Sequence, residues 1–248
     1  MAKRVGIDIG GTGMKGALVD LEDGSLVSER VRHKTPEPST PQAVADTLAR
    51  IIDEIGHEGP VGVGFPAVVI DGIVRTANNI DDSWIGADGK ALFEEVTGRE
   101  IEMMNDADAA TICEARYGAA RGVAGVVLVV TFGTGIGSGL LLDGVLAPNL
   151  QLGDLELEGH RPAESHFSGA AKDDDDVTWE EWGERADRFL RHLMVVFSPR
   201  LIVVGGGMAK RWDRWSHVID GAVPVVPAEW GNNAGIVGAA TLVGKPEG

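Results

Sequence analysis

Apolar positions recur along this chain in two rhythms. Val5–Asp8, Val61–Phe65, Ile101–Met104 and Leu201–Val204 are short, nearly continuous apolar runs, the pattern of strands buried on both faces. Gly16–Asp20 reads as a partner to the first run, and Asp23-Gly24 as a turn into a third strand at about Leu26–His33. Thr35–Pro41 is proline-rich and predicts a loop. Val44, Leu48, Ile51, Ile52 and Ile55 then repeat at helical spacing, so an amphipathic helix follows. Thr40 and Pro41 suit its N-cap and first turn. Asp106 opens a second helix running to about Tyr117, and a third spans about Thr178–Phe197.

The pattern then repeats. Val126–Thr131 is a strand entering a glycine turn, Ser138–Asp143 a second strand, and Asp143-Gly144 another turn. Asp8–Asp20 matches Thr131–Asp143 in length and in its glycines, Gly10 falling on Gly133 and Gly16 on Gly139. Such a repeat predicts two similar α/β lobes, each opening with a β-hairpin whose glycine turn faces a shared cleft. The expected division is 1–105 and 106–232, with a C-terminal helix at about 233–248 packing back on the first lobe.

Composition narrows the partners. The 248 residues are 44% hydrophobic and 24% charged, the balance of a soluble globular protein. With 38 Asp+Glu against 22 Lys+Arg the formal charge is −16, which disfavours nucleic acid and anionic membrane surfaces. An anionic substrate then needs a local device. The lone Cys113 offers neither an intramolecular disulfide nor a zinc cluster. No signal peptide and no run of roughly 18 apolar residues is visible, so a cytoplasmic protein is expected.

Glycine supplies the device. It numbers 35, about twice ordinary usage, and gathers at a few places. In Asp8-Ile9-Gly10-Gly11-Thr12-Gly13, a turn bare of side chains lets backbone N–H groups point together at an oxyanion. Thr12 adds a hydroxyl, Lys15 a charge, and Asp8 a carboxylate able to hold Mg²⁺ or its water shell. Thr131, Gly133, Thr134 and Gly135 repeat the equipment. A tight hairpin turn needing positive φ is the other explanation of these glycines. Gly205, Gly206 and Gly207, closing the strand Leu201–Val204, permit close approach of a flat or anionic group, although a strand-to-helix turn explains them equally. Neither a P-loop nor a dinucleotide fingerprint is present, because a strand follows the first turn where those motifs need a helix.

Three glycine clusters in this order, on a duplicated α/β hairpin, resemble the sugar-kinase, actin and heat-shock ATPase superfamily. Within it, Asp8–Lys15, Asn105-Asp106-Ala107-Asp108-Ala109-Ala110 and Thr131–Gly139 resemble the ROK (repressor, open reading frame, kinase) sugar kinases. The tail Val226-Pro227-Ala228, then Asn232-Asn233-Ala234-Gly235-Ile236-Val237-Gly238-Ala239-Ala240, is similar to the polyphosphate-dependent glucokinases of that family. The resemblance implies two ribonuclease-H-like (actin-like ATPase) lobes, ATP with Mg²⁺ or else polyphosphate as donor, and a homodimer. It makes Gly206 and Gly207 nucleotide-binding residues.

Phosphoryl transfer needs a carboxylate that orients the acceptor hydroxyl and takes its proton. Asp106, at a strand end opening a helix, suits that role, and Asn105 suits a hydrogen bond to the sugar. Asp106 also suits a helix N-cap, and the two roles are compatible. The family's sugar-binding Asn falls at Asn79, and its Glu-x-Gly-His element falls at Gln151-Leu152-Gly153-Asp154, with the later Glu at Glu164 after one inserted residue. Glu has become Gln and His has become Asp. Gln both donates and accepts, whereas Asp only accepts. The acceptor expected is therefore glucose-shaped but altered at those hydroxyls, an amino sugar (kanosamine-like) or a cyclitol; an ordinary glucokinase tolerating both changes is the alternative.

Lys172 is followed by Asp173-Asp174-Asp175-Asp176, which repels a long polyanion, so Mg-ATP is favoured over polyphosphate. Trp179, Trp182, Trp212 and Trp215 lie at helical spacings that suit packing or a subunit interface, and Trp84 is kept as a lid contact over the sugar. A sugar sensor without chemistry and an actin-like filament protein remain as other classes. Asn105-Asp106 at a helix start argues against both.

Overall fold

The computed structural model describes residues 2–243; the parts of the expected N-terminal and C-terminal segments at 1 and 244–248 lie outside the described residues. The chain forms two compact units. One takes the chain to Cys113 and resumes at Asn233; the other is Glu114–Asn232.

The first unit runs β1 (Lys3–Ile9), β2 (Gly13–Asp20), β3 (Val31–Lys34), α1 (Pro41–Ile55), β4 (Val61–Phe65), β5 (Val69–Ile70), β6 (Ile73–Val74), α2 (Gly89–Thr97), β7 (Ile101–Asn105) and α3 (Asp106–Tyr117). Its main sheet has the order β3-β2-β1-β4-β7, the first three strands antiparallel and the rest parallel. The apolar stripe of α1 is buried through Val44, Leu48, Ile51 and Ile52. At roughly 1.5–3 kcal/mol for each large apolar side chain, that stripe and not helix propensity holds α1 in place. Thr40 is its N-cap residue and Pro41 its first, although the Thr40 hydroxyl makes no capping bond. The third strand is shorter than expected. Ser28 Oγ accepts the Leu18 N–H at 2.9 Å and Leu26 makes one isolated bridge to Val19, so only Val31–Lys34 joins the ladder.

The second unit runs β8 (Val126–Phe132), β9 (Ile136–Leu142), β10 (Val145–Ala147), α4 (Glu164–Phe167), α5 (Gly169–Asp174), α6 (Trp179–Phe197), β11 (Leu201–Gly205), α7 (Gly206–Ala209), α8 (Trp212–Trp215) and β12 (Val225–Pro227). Its sheet order, β10-β9-β8-β11-β12, is the first sheet over again, antiparallel for three strands and parallel beyond. The repeat in sequence is thus a repeat in topology. Thr178 and Glu181 close α6 with a reciprocal capping box. Trp182 and Trp215 are fully buried around Phe132, so of the two roles expected of them these two take packing. Trp84 is not a lid. It is fully buried in the first unit's core against Phe65 and Phe93, with its N–H donated to Ser39 O at 2.9 Å, because the short helical turn Asp82–Trp84 folds the ring inward. Within the second unit the buried Glu114 carboxylate accepts the N–H groups of Ala119, Glu229 and Trp230, fastening the end of α3 to the segment that leads out of the unit.

After that segment the chain re-enters the first unit as α9 (Ala234–Ala240), whose residues are all buried. It packs backbone to backbone. A Cβ on Gly6 would stand 1.9 Å from Ile236 O, one on Gly62 1.8 Å from Ala239 O, and one on Gly238 1.7 Å from Ala109 O. Only glycine permits that approach, and relief requires moving backbone and not a side-chain tip. Gly62→Ala is expected to cost about 3 kcal/mol or more of unfolding free energy, read as a lower urea midpoint at unchanged slope.

Candidate active site

In the first unit Asp8 is the last residue but one of β1 and stands directly across the hairpin from Lys15, whose Nζ lies 2.7 Å from Asp8 Oδ2. The turn between them is closed by Gly10 N–H to Gly13 O at 3.0 Å, leaving Gly11 and Thr12 exposed. Asn79 rests on this turn, since a Cβ on Gly11 would meet Asn79 O at 3.1 Å. Gly235 of α9 abuts the Asp8 carboxyl, where its Cβ would come within 2.7 Å of Asp8 Cγ. Asp8, Lys15, Asn79 and the first glycine turn are therefore gathered at one place.

Asn105 closes β7 with a buried side chain. Its Oδ1 accepts the Ala107 and Asp108 N–H groups at 2.9 and 3.2 Å, and its Nδ2 donates to Ala67 O at 3.1 Å. Asn105, expected at the sugar, thus caps the start of α3, a duty that the sequence reading considered for Asp106. Asp106 is left half-buried in the first turn, with Oδ1 accepting the Ala107 N–H at 2.8 Å. Removal from water and then the charge of Asp8 push its carboxyl up from 3.8 to about 7, against the opposing pull of the Ala107 amide. A carboxyl poised near neutrality is suited to taking a proton from a hydroxyl.

In the second unit, Gly133 N–H donates to Gly135 O and Ala170 N–H to Gly133 O, both at 3.0 Å. Gly133 does not have positive φ, and a Cβ there would meet nothing within 4 Å. Neither strain nor crowding by the fold requires glycine at this position. The space beside it is open. Thr134 is exposed beside it and Thr131 is half-buried at the end of the β8 run. Gly206 differs: φ is +79° and its Cβ would strike Phe132 O at 2.4 Å, so the strand-to-helix turn explains it. Gly207 is again exposed and uncrowded, with only Phe132 O at 4.0 Å.

The expected acceptor residues also lie in this unit. Gln151 is half-buried and leads a short helical turn, Leu152–Asp154, that ends with Asp154 exposed. Glu164 Oε2 accepts the Ile136 N–H at 2.9 Å and fills the place of a Cβ on Gly135, 2.3 Å away. Glu164 therefore touches the second glycine turn. The sequence reading missed Ser138, Ala170 and the Asp8 contact of Gly235, since serine on a strand and small residues at helix starts carry no distinguishing pattern.

Among the described residues no three His, Cys, Asp or Glu side chains converge as metal ligands. Asp8, a single carboxylate engaged on one oxygen by Lys15, fits Mg²⁺ held through water, since that ion keeps several waters and takes further oxygens from phosphates. No helix among the described residues is long and apolar enough to cross a membrane.

The sequence profile of the ROK family matches residues 4–148. A polyphosphate glucokinase of Mycobacterium tuberculosis (strain CDC 1551 / Oshkosh) is 43% identical over 236 residues, covering 95% of this chain and 89% of its own. The inorganic polyphosphate/ATP-glucomannokinase of Arthrobacter sp. strain KM superposes with a TM-score of 0.94 at 46% identity, covering 97% of this chain and 98% of its own. A ROK family glucokinase of Streptomyces griseus, solved with glucose and AMPPNP, superposes with a TM-score of 0.84 at 25% identity, covering 97% and 99%. With the family profile matched over more than half its length and a 43% identical relative over nearly all of it, the chain belongs to the ROK family.

Proposed function

We propose that this protein is a sugar kinase that transfers a phosphoryl group from ATP to the 6-hydroxyl of a glucose-like acceptor. The observation that carries the reading is Asp106, a carboxyl raised to about 7 at the start of α3, in the unit that also holds Asp8, Lys15 and an exposed glycine turn. As its conjugate base, Asp106 accepts the proton of the attacking hydroxyl while Asn79 helps orient the sugar. Lys15, the Thr12 hydroxyl and the Gly11 and Thr12 amides in the first unit, and Thr131, Thr134, Gly133 and Gly135 in the second, hold phosphate oxygens, with Gly206 and Gly207 left to the nucleotide. Mg²⁺ held through water by Asp8 would neutralise phosphate charge when the donor is bound.

The acceptor is read by Gln151, Asp154 and Glu164. An ammonium on the ring suits Asp154, and Gln151 pairs with either a donor or an acceptor, so an amino sugar is assigned ahead of a cyclitol. A second reading has a specific observation behind it: 43–46% identity to a polyphosphate glucokinase and a polyphosphate/ATP-glucomannokinase favours ordinary glucose specificity and polyphosphate as an additional donor.

Three outcomes test these assignments. Asp106→Ala should lower sugar-dependent ATP turnover by about 10²–10⁴-fold, and wild-type kcat/KM should rise with pH through about 7 as the base ionises, which initial rates from pH 5.5 to 8.5 resolve. A flat profile there removes Asp106 as the base.

Stability carries a second signature. Below about pH 4 Asp106 is protonated whether folded or not; as pH rises toward 7 only the unfolded chain ionises, so stability is lost across that window. Asp106→Asn abolishes this loss, of order a few kcal/mol, so its melting temperature relative to wild type should climb from pH 5 to pH 8.

The third test is the acceptor. Wild type should prefer aminoglucoses to glucose in kcat/KM, and Gln151→Glu with Asp154→His should swing the ratio toward glucose by at least about tenfold. A clear wild-type preference for glucose favours the second reading, and polyphosphate turnover matching that with ATP would establish its donor.

A further inference from the structure

Ser138 lies on β9, just past the second glycine turn, with 1% of its surface exposed. Its hydroxyl donates to Leu150 O at 2.8 Å and accepts the Leu152 N–H at 3.0 Å. Those two groups flank Gln151 in the chain, so one side chain grips the backbone on either side of the residue that departs from the family's glutamate. Nearby, Gly153 sits so close to the same strand that a Cβ would stand 2.7 Å from Ile136 O, and Glu164 binds the Ile136 N–H. The segment from Leu150 to Asp154 has little regular structure of its own, a three-residue helical turn only. Its position is inherited from β9.

We propose that Ser138 is a positioning residue for acceptor selection: by satisfying Leu150 O and Leu152 N–H together it fixes where Gln151 and Asp154 are presented. The argument rests on the assignment of those two residues to the acceptor. A hydroxyl is well suited to this task because it donates once and accepts at the same atom. Removing it leaves the buried Leu152 N–H and the part-buried Leu150 O to find new partners, and the loop shifts until they do. A pair of side chains displaced by a fraction of an ångström no longer matches one hydroxyl or ammonium pattern over another.

The test is steady-state kinetics on Ser138→Ala with glucose, an aminoglucose and ATP varied separately. The expected result is a rise of about tenfold or more in acceptor KM, a fall of similar size in the ratio of kcat/KM between the two acceptors, and an ATP KM unchanged within about twofold. Ser138→Thr, which keeps the hydroxyl, should restore the acceptor KM. If acceptor and ATP parameters move together, or neither moves, Ser138 is only a piece of the core and the proposal is overturned. Should wild type fail to discriminate between the acceptors, the amino-sugar assignment falls, and Ser138 is judged on the split between acceptor KM and ATP KM alone. If Ser138→Ala does not fold, Ser138→Cys, similar in volume but weak as donor and acceptor, carries the same comparison.

Discussion

Three carbonyl oxygens in the first unit, those of Ile236, Ala239 and Ala109, occupy space that a Cβ on Gly6, Gly62 or Gly238 would claim. Contact at that range locks α9 onto β1, β4 and α3 with no side chain between them, so none of these elements can shift independently of the others. The site inherits that rigidity. Asp8 stands near the end of β1 against Gly235 of α9, and Asp106 begins α3, so the two carboxyls are held at a separation the backbone sets. Burial of Asp106 first, and then a repulsion from Asp8 that cannot be relieved by drifting apart, raise the Asp106 pKa, the proton-accepting property the proposed chemistry uses.

An acidic chain that handles anions meets a long-range field opposed to its task. At −16 it cannot rely on broad attraction, and at the first glycine turn Lys15 is already paired with Asp8 while Arg32 lies beside Gly13. The other donors are short-range and directional: backbone N–H groups and threonine hydroxyls beside positions such as Gly133, where a Cβ would meet no atom within 4 Å. Such donors work over a few ångströms and suit a compact phosphate.

Much of this was legible in the sequence, and the limits are physical. The duplicated strand–turn–strand and its glycines appeared as a repeat because both hairpins solve the same backbone problem. Asp106 opened α3 where its position after an apolar run indicated. Three things were out of reach. Trp84 read as a loop residue because its burial depends on Phe65 and Phe93, which lie 19 residues before it and nine after. Asn105 and Asp106 are adjacent and both able to cap, and only the bonds to Ala107 and Asp108 show that Asn105 does so. Ser138 sits in an ordinary strand alternation, and its two bonds reach residues 12 and 14 positions away.

The placement of α9 also sets an order of assembly. The first unit is interrupted by the whole of the second, 114–232, before the helix that covers Gly6 and Gly62 is made. At a typical 5–20 residues per second, the ribosome needs about 6–24 s to cross that stretch. Through that interval β1 and β4 exist with an open apolar flank, while the second unit, continuous in sequence, lacks nothing it needs to close. The half of the molecule synthesised first is therefore the half finished last, and its proposed base reaches its final electrostatic surroundings only when translation has passed Gly235.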